Sequence, residues 1–230
     1  MINYIILIIT SIISVAILAI ILKIDIKKIK GLGMKEELNE LANKYPSNIE
    51  ICKKILKMLK NENVVVKEDL NAENCLYIVL TNKILIGDTK QSFSRIQTIA
   101  HECLHSVQDR RILIFNYIYS NIYLIYFMLS IILMIFKMYQ NQLLHISIFL
   151  ILSLIYYGIR SFLENDAMIK ARFLAKEYME KEKILSSEYN LKIVEGFDEL
   201  NNLGIKCYNF TLIEGIFIKV IILSVVALIF

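Results

Sequence analysis

Residues 2–22, INYIILIITSIISVAILAIIL, carry no charge over a length sufficient for a helix to cross the ~30 Å hydrocarbon core of a bilayer. No positive residue precedes the run and no A-x-A-like site follows it, so it reads as a retained anchor and not as a cleaved leader. A second run extends from Ile112 to Phe136 and a third over about 143–163, joined by the short polar stretch KMYQNQ, which predicts a transmembrane helical hairpin. A fourth covers about 210–230. It contains Glu214 and Lys219, which are costly in lipid unless they snorkel or face protein. Composition agrees, because 57% of the 230 residues are hydrophobic, above the roughly 45–50% of a soluble domain. Charged residues cluster instead in 23–111 and 160–206.

The expected organisation is an anchor at 1–22, a soluble catalytic segment at 23–111, the hairpin at 112–163, a helical segment at 164–209 and a last span at 210–230. Lys23, Lys27, Lys28 and Lys30 follow the first span, Arg110 and Arg111 precede the second, and Arg160 ends the third. The hairpin loop offers Lys137 alone, so positive residues place both soluble segments in the cytoplasm and both termini outside. Cys52, Cys75, Cys103 and Cys207 form no CxxC pair and are expected to be buried, reduced thiols, in keeping with that compartment. The net charge of +4 is mixed in sign, with no basic stripe interleaved with aromatics, which argues against nucleic acid as a partner.

Within the first soluble segment, Pro46 introduces Ser47-Asn48-Ile49-Glu50, a capping-box pattern opening a helix over about 48–60. NVVVKED (63–69) and LYIVL-TNK-ILIGD (76–88) are β-rich runs with a polar turn at 81–83, predicting a small antiparallel sheet. Gly87-Asp88 ends it, and a helix follows from about 91 to 109. On that helix Phe93, Ile96, Ala100, Cys103, Leu104 and Val107 share one side. His101 and His105 fall on another with Ser94 and Thr98, and Glu102 lies at its edge.

The stretch AHECLHSVQD (100–109) therefore places an HExxH pattern on a helix, where imidazoles four residues apart project from one face. A catalytic zinc takes three protein ligands and keeps one position open. His101 and His105 supply two, and Glu102 is placed to act as general base. His145, the remaining histidine, lies by the hairpin loop on the opposite side, so a carboxylate must complete the set. Glu164 and Asp166, in the segment ENDA after the third span, are the candidates.

These residues resemble the YugP-type neutral zinc metallopeptidases, small bacterial membrane enzymes distantly similar to the HtpX and CAAX-prenyl-protease gluzincins. TIAHECLHSVQD resembles that family's AAHE-x-x-H-x-x-QD stretch, and the order of spans, hairpin and E-x-D-A segment is similar through most of the chain. The resemblance to the E-x-x-A-D pattern, aligned on Ala167, implies Glu164 as third ligand; Met168 stands where that pattern has Asp, so the part of that Asp is either absent or taken by Asp166. It further implies that Asp109 could orient a ligand histidine, and a zincin-like core.

The fold class expected is thus membrane α+β, a zincin-like core of helices and small antiparallel sheet with about four transmembrane helices. The expected function is zinc (Zn2+)-dependent hydrolysis of peptide bonds in membrane-associated or misfolded proteins, in a bacterial cell membrane with the site facing the cytoplasm. The lipid bilayer and a peptide or protein substrate are the partners. A strand at 83–87 or 76–80 is a candidate edge for pairing with extended substrate, and Tyr178 or Arg172 a candidate oxyanion stabiliser. The alternative is a non-catalytic membrane protein with a structural or sensory zinc site.

Overall fold

In an apolar layer every backbone N–H and C=O must be satisfied within its own segment, which leaves a helix as the solution for a single uncharged run. The computed structural model describes residues 1–25, 28, 31, 35–69, 72, 74–89 and 92–230. Among these the order is α1 (Ile2–Leu22), α2 (Glu36–Asn43), α3 (Asn48–Met58), β1 (Val65–Glu68), β2 (Leu76–Ile78), β3 (Lys83–Ile86), α4 (Arg95–His105), α5 (Arg110–Ile135), α6 (Gln142–Glu182) and α7 (Ser187–Ile229). Helices α1, α5, α6 and α7 are long and apolar enough to cross a membrane. Lys27 and Lys30, and the expected helix start near 91, lie outside the described residues.

The third and fourth apolar runs differ from expectation in extent. Helix α6 continues through ENDA to Glu182, and α7 begins at Ser187, well before the run it carries. Neither helix contains a proline, and ENDA and the residues after it are mostly acceptable helix formers, so nothing in the sequence stops the first helix at 163.

The chain divides into two units, one of Met1–Ile24, Phe115–Phe162 and Lys206–Phe230, the other of Asp25–Ile114 and Leu163–Ile205. In the first, the Tyr123 ring stacks on Phe149 and on Tyr156, with centroids 5.1 and 4.7 Å apart. Lys219 faces protein here: its ammonium lies 5.7 Å from the centre of the Tyr123 ring and donates to the Gly215 carbonyl at 3.2 Å. That combination offsets part of the cost of an ammonium in an apolar segment.

The second unit has its own core, in which Ile51 and Ile55 of α3, Ile84 and Ile86 of β3, and Ile96 and Ile99 of α4 are all fully buried. Ser47 caps α3 as the sequence pattern implies, accepting the Glu50 amide at 3.3 Å, while the Glu50 carboxylate turns to Lys54 at 3.1 Å. The sheet is mixed, a correction to the antiparallel expectation: its order is β1-β3-β2, with β2 antiparallel and β1 parallel to β3. The polar turn before Lys83 makes β2 and β3 a hairpin, with Asn82 at a positive φ of 47°. β1 and β2 flank β3 on opposite sides and run in opposite directions, so the chain turns back between Glu68 and Leu76 and the hairpin then brings β3 parallel to β1. That return needs Gly87. A Cβ there would sit 2.6 Å from the carbonyl oxygens of Ala72 and Asn74, and the Asp88 amide donates to Ala72 O at 2.8 Å.

Cys52, Cys75 and Cys103 are free and buried as expected, but Cys207 is only half-buried.

Candidate metal centre

Helix α4 is anchored at both ends before it presents any ligand. At its start the Arg95 guanidinium is buried and donates to the carbonyls of Ala42, Tyr45 and Pro46 and to Asn48 Oδ1, at 2.7–3.0 Å. A cation at the Ala42 carbonyl, in the last turn of α2, is favoured by the dipole of that helix. At the other end Asn61 donates to the Ser106 carbonyl at 3.0 Å, and the helix stops at His105, short of the expected 109. Phe93, Ile96, Ala100, Cys103 and Leu104 are buried as the apolar pattern requires, whereas Val107, beyond the helix end, is exposed.

His101 and His105 lie one turn apart with their Nε2 atoms separated by 3.0 Å. Glu164, on α6, approaches both: its Oε2 is 3.3 Å from His101 Nε2 and 3.5 Å from His105 Nε2. Two ligands in a tetrahedral zinc site with bonds of about 2.0–2.1 Å stand about 3.3 Å apart. The three observed separations bracket that value. Among the described residues this is the group of His, Cys, Asp and Glu side chains able to hold a metal ion. Asp166 is not part of it.

Asp166 is instead held in a chain of contacts that runs back to a histidine. Gln108 Oε1 lies 2.8 Å from His105 Nδ1, and Gln108 Nε2 donates to Asp166 Oδ2 at 3.1 Å and to the Leu163 carbonyl at 2.8 Å. With Nδ1–H donating to Gln108, the Nε2 lone pair of His105 is directed at Glu164 and the metal position. Lys170 holds the other Asp166 oxygen at 2.5 Å. The part foreseen for Asp109 is therefore taken by Gln108: Asp109 pairs with Arg111 at 3.0 Å, two residues on.

Glu102 is buried beside the ligands and accepts the Tyr77 backbone amide at 2.6 Å. Burial raises its carboxyl above the ordinary value of 4.5, with the neighbouring imidazoles and the Tyr77 amide pulling the other way. Its proton affinity is thus higher than that of an exposed glutamate. For His105, burial acts downward, but the Glu164 carboxylate outweighs it and raises the imidazole above its ordinary value of 6.5.

The other expectations resolve differently. Residues 83–86 form the central strand, so they offer no edge; among the described residues β2, like β1, is an edge strand. Tyr178 is fully buried with its ring against Tyr45, and Arg172 is paired with Asp198, so neither is offered to the ligand group. His145 stands elsewhere, stacked on Tyr139 in the first unit. Sequence reasoning missed Gln108, although QD was within the resembling stretch, and missed Arg95 and the Tyr77 amide, for which side-chain patterning carries no signal.

No family model, no curated protein and no solved structure matches the chain.

Proposed function

We propose that the chain is a membrane-embedded zinc metalloendopeptidase with a zincin-like core, its site facing the cytoplasm. The observation that carries this reading is the spacing of His101, His105 and Glu164 at 3.0–3.5 Å, with Glu102 buried beside them. Two neutral nitrogens and one carboxylate are the ligand type of catalytic zinc, and three ligands leave a position for reactants. The absence of a fourth donor from the group, among the described residues, supports catalysis over a closed structural site. Zinc held there supplies Lewis acidity, sufficient to bring the pKa of water to about 7.

The protein's own residues account for the rest of the reaction. Glu102 takes a proton from the attacking water as its oxygen bonds to the scissile carbonyl carbon, then delivers it to the departing amine nitrogen as the C–N bond breaks. Gln108 fixes the His105 tautomer, and burial keeps the carboxylate of Glu102 from being solvated by bulk water. The substrate class that fits is a peptide segment of a membrane-associated or misfolded protein, since the chain carries four helices long and apolar enough to cross a membrane.

The test is hydrolysis of an unfolded reporter protein by detergent-purified, zinc-loaded parent, Glu102→Gln and Glu164→Ala. Glu102→Gln should retain zinc and lose activity by ~10³-fold or more, while Glu164→Ala should lose both. Hydrolysis by Glu102→Gln at the parental rate would sink the mechanism.

A further inference from the structure

Strand β2 pairs with β3 alone, and its central residue, Tyr77, stands opposite Ile84. Along an antiparallel pair, residues alternate between those that bond directly to the partner and those that do not. The Tyr77 amide is of the second kind: it leaves the ladder at the free edge and donates to Glu102 Oε2 at 2.6 Å. Among the described residues this is the hydrogen bond that Glu102 makes, and the residue is 8% exposed.

An outward amide on an edge strand has two potential acceptors near a peptidase site, the buried carboxylate and the carbonyl of an extended peptide adding to the edge. The strengths differ. A bond to an ionised carboxylate is roughly twice as strong as one between neutral groups, and giving it up would strand a buried carboxylate without a donor, whereas a peptide carbonyl can be solvated elsewhere. Taking the hydrolytic role of Glu102 as its basis, we propose that the Tyr77 amide is a dedicated positioning donor for Glu102. It holds Oε2 and leaves Oε1 as the oxygen that exchanges protons with water and leaving amine. The Tyr77 amide is consequently withheld from substrate, and a peptide lying along β2 binds without it.

Because the donor is backbone, its removal needs a backbone change. Tyr77→Pro deletes the N–H at an edge position outside the ladder, where proline is tolerated. Replacing Tyr77 by its α-hydroxy acid through nonsense suppression exchanges the N–H for an ester oxygen and keeps the side chain. Tyr77→Phe keeps the amide. With zinc content and melting temperature checked for each, kcat and KM are measured on a peptide the parent cleaves. The expected result is a ten- to hundred-fold fall in kcat with KM within about twofold for the proline and ester forms. A rise in KM at unchanged kcat would assign the amide to substrate and overturn the proposal, as would an unchanged kcat in the ester form. If the proline form does not fold, the ester form decides.

A second readout needs no turnover. In 15N-tyrosine-labelled protein the Tyr77 amide proton, assigned by its disappearance in Tyr77→Phe, should lie far downfield, move upfield in Glu102→Gln and stay in place when a non-cleavable peptide binds. A shift on peptide binding but not in Glu102→Gln would overturn the proposal. A parent that cleaves no peptide removes the hydrolytic reading, and the resonance then still reports whether Tyr77 and Glu102 are joined.

Discussion

The carboxamide of Gln108 lies between His105 and Asp166, its oxygen 2.8 Å from His105 Nδ1 and its nitrogen 3.1 Å from Asp166 Oδ2. One side chain thus sets the tautomer of a ligand on α4 and, through Asp166 and the Leu163 carbonyl, grips the backbone of α6 at the residue before Glu164.

Gln108→Leu removes both functions and should weaken zinc affinity by about 10–100-fold, the usual range for groups that orient a metal-bound histidine. Competition against a chromophoric chelator measures it. Asp109→Ala is the contrast: because Asp109 pairs with exposed Arg111, zinc affinity should stay within about twofold of the parent. Equal losses in the two variants would contradict this assignment.

Zinc binding should weaken with acid earlier than at an ordinary histidine site. The His105 imidazole sits above 6.5 in the metal-free protein, because Glu164 stabilises its charged form. Metal must displace that proton, so affinity is at its plateau above the raised His105 value and falls as pH drops through it. Zinc titrations from pH 8.5 to 5.5 test this, and Glu164→Gln should move the onset to lower pH. An onset at or below the ordinary value in the parent would count against the coupling.

Tyr45 offers a pH test in the core of the same unit. Its hydroxyl donates to Asn190 Oδ1 at 2.7 Å, and burial, with Glu182 adding, pushes the phenol up to about 12. The folded value lies above the unfolded value of 10.0, so the neutral phenol contributes stability that is complete below pH 10 and lost as pH rises through about 12. Tyr45→Phe should cost about 1 kcal/mol near neutrality by stranding Asn190. It should also flatten the alkaline fall in melting temperature. An alkaline limb as steep as the parent's would remove Tyr45 as its source.

The parts legible in the sequence were those written in side-chain periodicity. Charge-free length marked α1, and the spacing of Phe93, Ile96, Ala100 and Cys103 placed α4 with its histidines off the apolar face. The third ligand was narrowed to Glu164 or Asp166 by the position of ENDA, and the two differ by 200° around a helix. Only the placement of α6 makes that rotation decisive. The parallel pairing of β1 was invisible, because alternating strands look alike in either direction and nothing in residue pattern marks the close approach of Ala72 and Asn74 to Gly87. Contacts made by backbone, such as the Tyr77 amide and the three carbonyls that accept from Arg95, leave no mark in residue pattern at all.

The sulfurs of Cys52 on α3 and Cys103 on α4 touch at 3.6 Å, with both side chains fully buried. Burial, with the second thiol beside it, keeps the Cys103 proton on its sulfur. These thiols therefore react with an alkylating reagent only when the seam between the two helices parts, so their labelling rate is a clock for that opening. An ion that binds only the closed arrangement slows the clock in proportion to its occupancy. The labelling rate thus tests metal loading at the proposed site with no change to His101, His105 or Glu164.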